Sequence, residues 1–263
     1  MKRVLIQPDF MEFPAEFHSL LSGAKVYDSS CSSRARVVFI DKDGGYFLKS
    51  SDAETLKKEA ELSRFFCQKG IGPHVEAYLS GEKDWLLTRR VPGEDCTDAM
   101  YLNEPQRLCD TLAEILVNLH ATSAEGCPVP NRTAEYLAYA ETQYRASEFD
   151  PSYLPAHMQG MTADDAWKMV AQGKSLLRAD TLLHGDYCLP NVILDNWKFS
   201  GFIDVCHGGV GDRHFDLFWG LWSLNYNLKT DACSNDFLEA YGKSLVDFAR
   251  IRASACLFAL ERE

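Results

Sequence analysis

The chain alternates short apolar runs in its first third and carries longer, helically spaced apolar stripes after that. "ARVVFI" (35–40) and "YFLKS" (46–50) are β-prone runs on either side of "DKDGG", a hairpin pattern. "SDAETLKKEAELSRFFCQKG" follows, with Leu56, Leu62, Phe65 and Phe66 at mostly helical spacing. Ser51 and Glu54 stand at capping-box spacing at its start, and Gly70 ends it. "HVEAYLSGEKDWLLTRRV" predicts a second hairpin turning at "SGEKD", and "PGED" (92–95) breaks the strand pattern.

Beyond that break the period is helical. In "PQRLCDTLAEILVNLHA" (105–121), Leu108, Leu112, Ile115, Leu116 and Leu119 share one face. "NRTAEYLAYAETQYRA", "ADDAWKMVAQGKSLL", "DLFWGLWSLNYNL" and "NDFLEAYGKSLVDFARIRASACLFALE" continue the theme, and the aromatics of "FDLFWGLWSLNY" read as core. The expected architecture is α+β: a β-rich N-terminal lobe over 1–91 and a mostly helical C-terminal lobe over 92–263, joined near 88–93.

One stretch departs from the helical rhythm: "LLHGDYCLPNVILDNWKFSGFIDV" (182–205). "NVIL" and "FSGFIDV" are β-prone, with Asp195 and Asn196 as turn residues. A hairpin there brings Asn191, before its first strand, towards Asp204, at the end of its second. Asp186 lies five residues before Asn191. An amide oxygen and a carboxylate are hard ligands suited to Mg²⁺, and a separate Asp can orient an attacking hydroxyl. This is the division of labour in phosphoryl transfer, and the Asp-x-x-x-x-Asn spacing is the one kinases use.

Composition narrows the partners. With 27 Lys and Arg against 38 Asp and Glu, the net charge of the 263 residues is −11. That excess disfavours nucleic acid, which is held through cationic side chains, and mildly favours a cationic ligand. No run resembles a membrane span or signal peptide. Nine cysteines, an odd number with no C-x-x-C pair, point away from a disulfide scaffold and towards a reducing, cytoplasmic setting.

"HGDYCLPNVILD", "GFIDV" and "GDRHFDL" together resemble the aminoglycoside phosphotransferases, most closely the 3′-phosphotransferases, a small-molecule branch of the protein-kinase-like fold. The resemblance implies a bilobal fold, ATP (with GTP as an alternative donor) and Mg²⁺ as cofactors, and a polycationic aminoglycoside as acceptor. Residue by residue, Asp186 resembles the catalytic Asp, and Asn191 and Asp204 the magnesium ligands. Lys49 resembles the phosphate-anchoring lysine and Glu59 its helix partner. Ser33, in "SSCSSR", falls on the nucleotide-positioning loop, and Arg89 and Val91 mark the adenine-binding connector. Asp216 resembles an Asp that braces the catalytic loop, and His184 reads as a loop brace as well.

Three segments depart from that family. "FDPSYLPAHMQG" (149–160) offers Pro155, Ala156 and His157 where acids that contact the drug's amines are expected. Cys206 and His207 stand where Gly-Arg commonly follows the second metal-binding Asp. The ending "CLFALERE" carries Glu261 and Glu263 in an unusual register. Asp164, Asp165, Asp236 and Glu239 are further candidate acids. Another hydroxylated acceptor, such as a sugar, an amino alcohol or a macrolide, stays open as an alternative.

Overall fold

Alternating burial in the first ninety residues builds one sheet. The computed structural model describes residues 3–31 and 35–260. Its largest sheet has six strands: β1 (Val4–Ile6), β2 (Lys25–Asp28), β3 (Arg36–Asp41), β4 (Tyr46–Asp52), β5 (Val75–Ser80) and β6 (Lys83–Arg89). They run in the order β1-β2-β3-β4-β6-β5, with every pairing antiparallel. Val38, Ile40, Tyr46, Leu48, Trp85 and Leu87 form its core with Phe13, Phe17 and Leu21, the last of these on the short helix α1 (His18–Leu21). β4 is central, and its residue Lys49 lies in register with Val37 on one side and Leu86 on the other.

Helix α2 (Lys57–Gln68) follows β4, but the capping box expected of Ser51 and Glu54 does not form. β4 runs on to Asp52, and Glu54 takes a positive φ of 65°. A carboxylate from across the sheet caps the helix instead. Asp84, in register with Ser51 and fully buried, accepts from Leu56 N at 2.9 Å, Tyr78 Oη at 3.0 Å and Ser80 Oγ at 2.7 Å. That tertiary acceptor takes the Leu56 amide, one of the donors that the first turn of a helix leaves unpaired.

The fold divides into two compact units. One takes Met1–Asp95 together with Ile193–Cys206, the other Cys96–Val192 together with His207–Glu263. The hairpin of β9 (Val192–Asp195) and β10 (Lys198–Phe202) therefore falls mainly in the first unit, in a small sheet with β7 (Glu94–Asp95). Its left-handed turn residues are Asn196 and Trp197, one position later than the sequence pattern suggests. Before the strand, Leu189–Asn191 is a 3-10 turn.

The second unit is helical: α3 (Ala99–Leu102), α4 (Pro105–Ala121), α5 (Arg132–Arg145), α6 (Ala163–Gly173), α7 (His214–Leu228), α8 (Ser234–Gly242) and α9 (Phe248–Ala259). α4 has the bounds its apolar stripe predicts. The C-terminal helical stretch is split, because Gly242 takes a φ of 114° and Asp247 caps a new helix by accepting from Ala249 N at 2.8 Å. α4 packs on α8, and α9 on α6 and α7. β8 (Thr181–Leu183) and β11 (Gly209–Gly211) form a two-stranded antiparallel sheet.

Candidate active site

The residues form two constellations, one in each unit. In the second unit the loop after β8 is fixed residue by residue. Asp216, fully buried in the first turn of α7, accepts from His184 N at 2.9 Å and Gly185 N at 2.7 Å. Gly185 has a φ of 84°, and a Cβ there would lie 1.8 Å from His207 O, so only glycine fits. Tyr136 Oη donates to Gly185 O at 3.1 Å, and Tyr187 Oη donates to Leu112 O at 2.7 Å. His184 Nδ1 accepts from Asp186 N at 3.3 Å, consistent with a bracing role. Asp186 thus projects from a loop whose neighbours are all anchored. Asn191 Nδ2 donates to Asp186 Oδ2 at 2.7 Å and to Asp186 O at 3.0 Å.

A residue the sequence reading passed over supports this loop. His120, in the last turn of α4, contacts Asp216 Oδ2 through Nε2 at 3.1 Å and Tyr241 Oη through Nδ1 at 2.7 Å. Burial lowers its pKa below the usual histidine value, against the pull of the Asp216 carboxylate. Nε2–H then donates to Asp216, and the Tyr241 hydroxyl, pushed up to about 12 by burial, donates to Nδ1. The available signal was a lone polar residue on the Leu112–Leu116 stripe of an otherwise apolar helix face.

In the first unit Lys49 Nζ lies 2.8 Å from Glu59 Oε2 and 3.0 Å from Asp204 Oδ1. Burial alone would lower the lysine pKa, but the carboxylates of Asp204 and Glu59 outweigh it and hold the pKa above the ordinary value. The result is a permanently charged, positioned ammonium. Asp204 takes a positive φ of 56°, which turns its side chain out of the strand direction just past β10. Cys206 Sγ lies 3.7 Å from Asp204 Oδ1.

Asn191 directs its amide nitrogen at Asp186, so the atom its amide has left to offer is a hard oxygen donor. In the first unit Asp204 offers a carboxylate with about half its surface exposed.

Arg89 N donates to His74 O and Arg90 N to Gly45 O, both at 2.9 Å, so these two amides belong to the sheet and its turns. Val91 lines a small depression with Phe47, Ile193 and Ile203. Ser33 lies outside the described residues, as do Glu261 and Glu263. Of the candidate acids, Asp165 is taken by a capping box with Thr162, Asp164 accepts from Tyr144 Oη at 2.7 Å, and Glu239 pairs with Lys243 at 3.2 Å.

The chain is similar to known phosphotransferases in sequence and in fold. A "Probable aminoglycoside 3'-phosphotransferase" of Lactococcus lactis is 45% identical over 93% of this chain and 94% of its own length. An aminoglycoside 3′-phosphotransferase of Niallia circulans is 29% identical over 65% of each chain. Among solved structures, an aminoglycoside 3′-phosphotransferase of type VIII superposes with a TM-score of 0.74 at 24% identity, covering 94% of this chain and 97% of its own. At that identity the likeness is one of fold, and the fold is kinase-like. The model of the phosphotransferase enzyme family matches residues 25–254, and the chain belongs to that family.

Proposed function

We propose that this enzyme transfers the γ-phosphoryl group of ATP to an aminoglycoside hydroxyl, the 3′-hydroxyl being the acceptor indicated by its 45%-identical relative. The observation that carries the reading is the Lys49–Glu59–Asp204 cluster, a half-buried charged lysine held by two carboxylates. Such a group has a clear use as an anchor for nucleotide phosphates. In this mechanism Lys49 holds the α- and β-phosphates, and the small depression where Phe47, Val91, Ile193 and Ile203 meet the charged Arg90 and Glu94 takes the adenine. Asn191 in one unit and Asp204 in the other are the residues that would offer oxygen ligands to Mg²⁺, an ion that would supply neutralisation of phosphoryl charge. Asp186, oriented by Asn191, accepts a hydrogen bond from the acceptor hydroxyl and aims it in line. Catalysis is then positioning and electrostatics, with little covalent work for the protein. The reaction belongs in the cytoplasm, where the nucleotide is available, and it would inactivate the drug.

The test is a coupled assay of nucleotide consumption with kanamycin-type acceptors, ATP and GTP in parallel, and neutral sugars as comparison. Preference for an aminoglycoside with ATP is expected. Preference for a neutral sugar would overturn the acceptor assignment.

A further inference from the structure

Resting on the reading of Asp186 as the residue that orients the acceptor, we propose that Tyr241 and Arg213 are positioning residues: together they fix the direction of a hydrogen-bond chain that ends on the loop presenting Asp186. The chain starts on α8 and runs inward. Tyr241 Oη lies 2.7 Å from His120 Nδ1, and His120 Nε2 lies 3.1 Å from Asp216 Oδ2. The same Asp216 oxygen accepts from His184 N at 2.9 Å, and Asp216 Oδ1 accepts from Gly185 N at 2.7 Å. Those two amides stand immediately before Asp186. A side chain of α8 is thereby linked to the residue that aims the acceptor.

Each link has a direction, and one assignment gives every donor an acceptor. The Asp216 carboxylate can only accept, so His120 Nε2 must carry the proton between them. Nδ1 is then left to accept, and the Tyr241 hydroxyl must point its proton there. A hydroxyl proton can rotate away, and Arg213 prevents it. The Arg213 guanidinium lies against the Tyr241 hydroxyl, and a guanidinium has donors but no acceptor. It takes a lone pair of the oxygen and turns the proton towards His120. Were Nδ1–H the donor instead, the hydroxyl oxygen would face two donors and its own proton would have no acceptor in the chain. Arg213 is steadied in turn by Thr181 Oγ1 at 3.4 Å, on β8, the strand that leads into the loop.

The chain is shielded from water. Tyr241 and Asp216 are buried, and the His120 side chain is 3% exposed. The Tyr241 and His120 rings meet edge to face, with centroids 5.6 Å apart and planes at 84°. In such surroundings water does not replace a lost partner, and an orphaned polar group reorients or stays unpaired at a cost. Removing the Tyr241 hydroxyl frees the imidazole to turn, and the turn passes through Asp216 to the two loop amides. A small misplacement of the carboxylate that aims the acceptor slows an in-line transfer without weakening ground-state binding.

The experiment compares wild type, Tyr241→Phe, Arg213→Met and Arg213→Lys in steady-state assays with kanamycin and ATP. Nitrogen NMR of histidine-labelled protein runs beside it, with His120→Asn to assign the ring. Tyr241→Phe should lower kcat about 10-fold and leave KM for both substrates within about 2-fold. Arg213→Met should lower kcat about 5-fold, and Arg213→Lys, which keeps a donor-only cation, should recover most of that loss. In wild type the spectra should show a proton on His120 Nε2 and a bare, hydrogen-bonded Nδ1, and in Tyr241→Phe an Nδ1 that has lost its bond. Unchanged kcat in Tyr241→Phe, with wild type active, overturns the proposal, as does a wild-type proton on Nδ1. A fall in kcat matched by rises in both KM values marks a general loosening of the fold and overturns it too. Wild type inactive on every aminoglycoside overturns the functional reading instead, while the spectra still decide the direction of the chain.

Discussion

Asn191 turns its amide nitrogen onto Asp186 Oδ2 at 2.7 Å, so the residue expected to hold metal also fixes the residue expected to orient the acceptor. One side chain links the two tasks. Asn191→Asp keeps an oxygen ligand but places a carboxylate against Asp186. Two like charges at that distance raise the pKa of one of them and rotate the pair apart. The expected result is a fall in kcat of about 100-fold with bound nucleotide retained. Steady-state kinetics and a nucleotide-binding titration on the same variant check it.

Lys49 makes a complementary test of the first unit. Its ammonium is a point charge between Glu59 and Asp204, and the planar guanidinium of Lys49→Arg does not fit that placement. Lys49→Arg and Lys49→Met are both expected to lower kcat/KM for ATP by at least about 100-fold. An Arg variant near wild-type activity would show that charge alone suffices.

Asp84 has no expected part in the chemistry, yet three donors converge on it. Asp84→Ala leaves the Leu56 amide, the Tyr78 hydroxyl and the Ser80 hydroxyl unsatisfied and uncaps α2. That substitution should cost about 2–4 kcal/mol, measured by denaturant unfolding. Glu59 sits in the first turn of α2, so the same variant should loosen the Lys49 pair and raise KM for ATP.

The loop brace carries a pH signature. His120 is buried, and that burial depresses its pKa below the unfolded value of about 6.5. A depressed histidine pKa gives stability that is present above the unfolded value and lost as pH falls through the folded one. Stability should therefore decline as pH drops below about 6.5, and His120→Asn should flatten that part of the profile. Thermal unfolding of both proteins from pH 8 to pH 5 gives the comparison. A parallel decline in the two would remove His120 as its cause.

The sequence made much of this legible, and the exceptions share a cause. α4 begins and ends where its leucine stripe and Pro105 predict, because those signals are local. The start of α2 was misread because its cap, Asp84, arrives from β6, and no local pattern encodes a partner across a sheet. His120 was overlooked for a similar reason: its value lies in Asp216 and Tyr241, far along the chain. Asp186 and Asn191 were legible because five residues fix their spacing, as were Lys49 and Glu59, on a strand and the helix that follows it. The aromatic stripe of α7 looked like core by composition. Only the fold separates buried Trp219 from exposed Tyr226.

The most direct test of the account is product formation by wild type and Asp186→Asn with ATP, Mg²⁺ and kanamycin, read by mass spectrometry and phosphorus NMR. Wild type should yield a singly phosphorylated drug with the phosphate on the 3′-oxygen. Asp186→Asn should bind nucleotide normally and form product at least about 100-fold more slowly. Unimpaired phosphorylation by that variant would contradict the central claim.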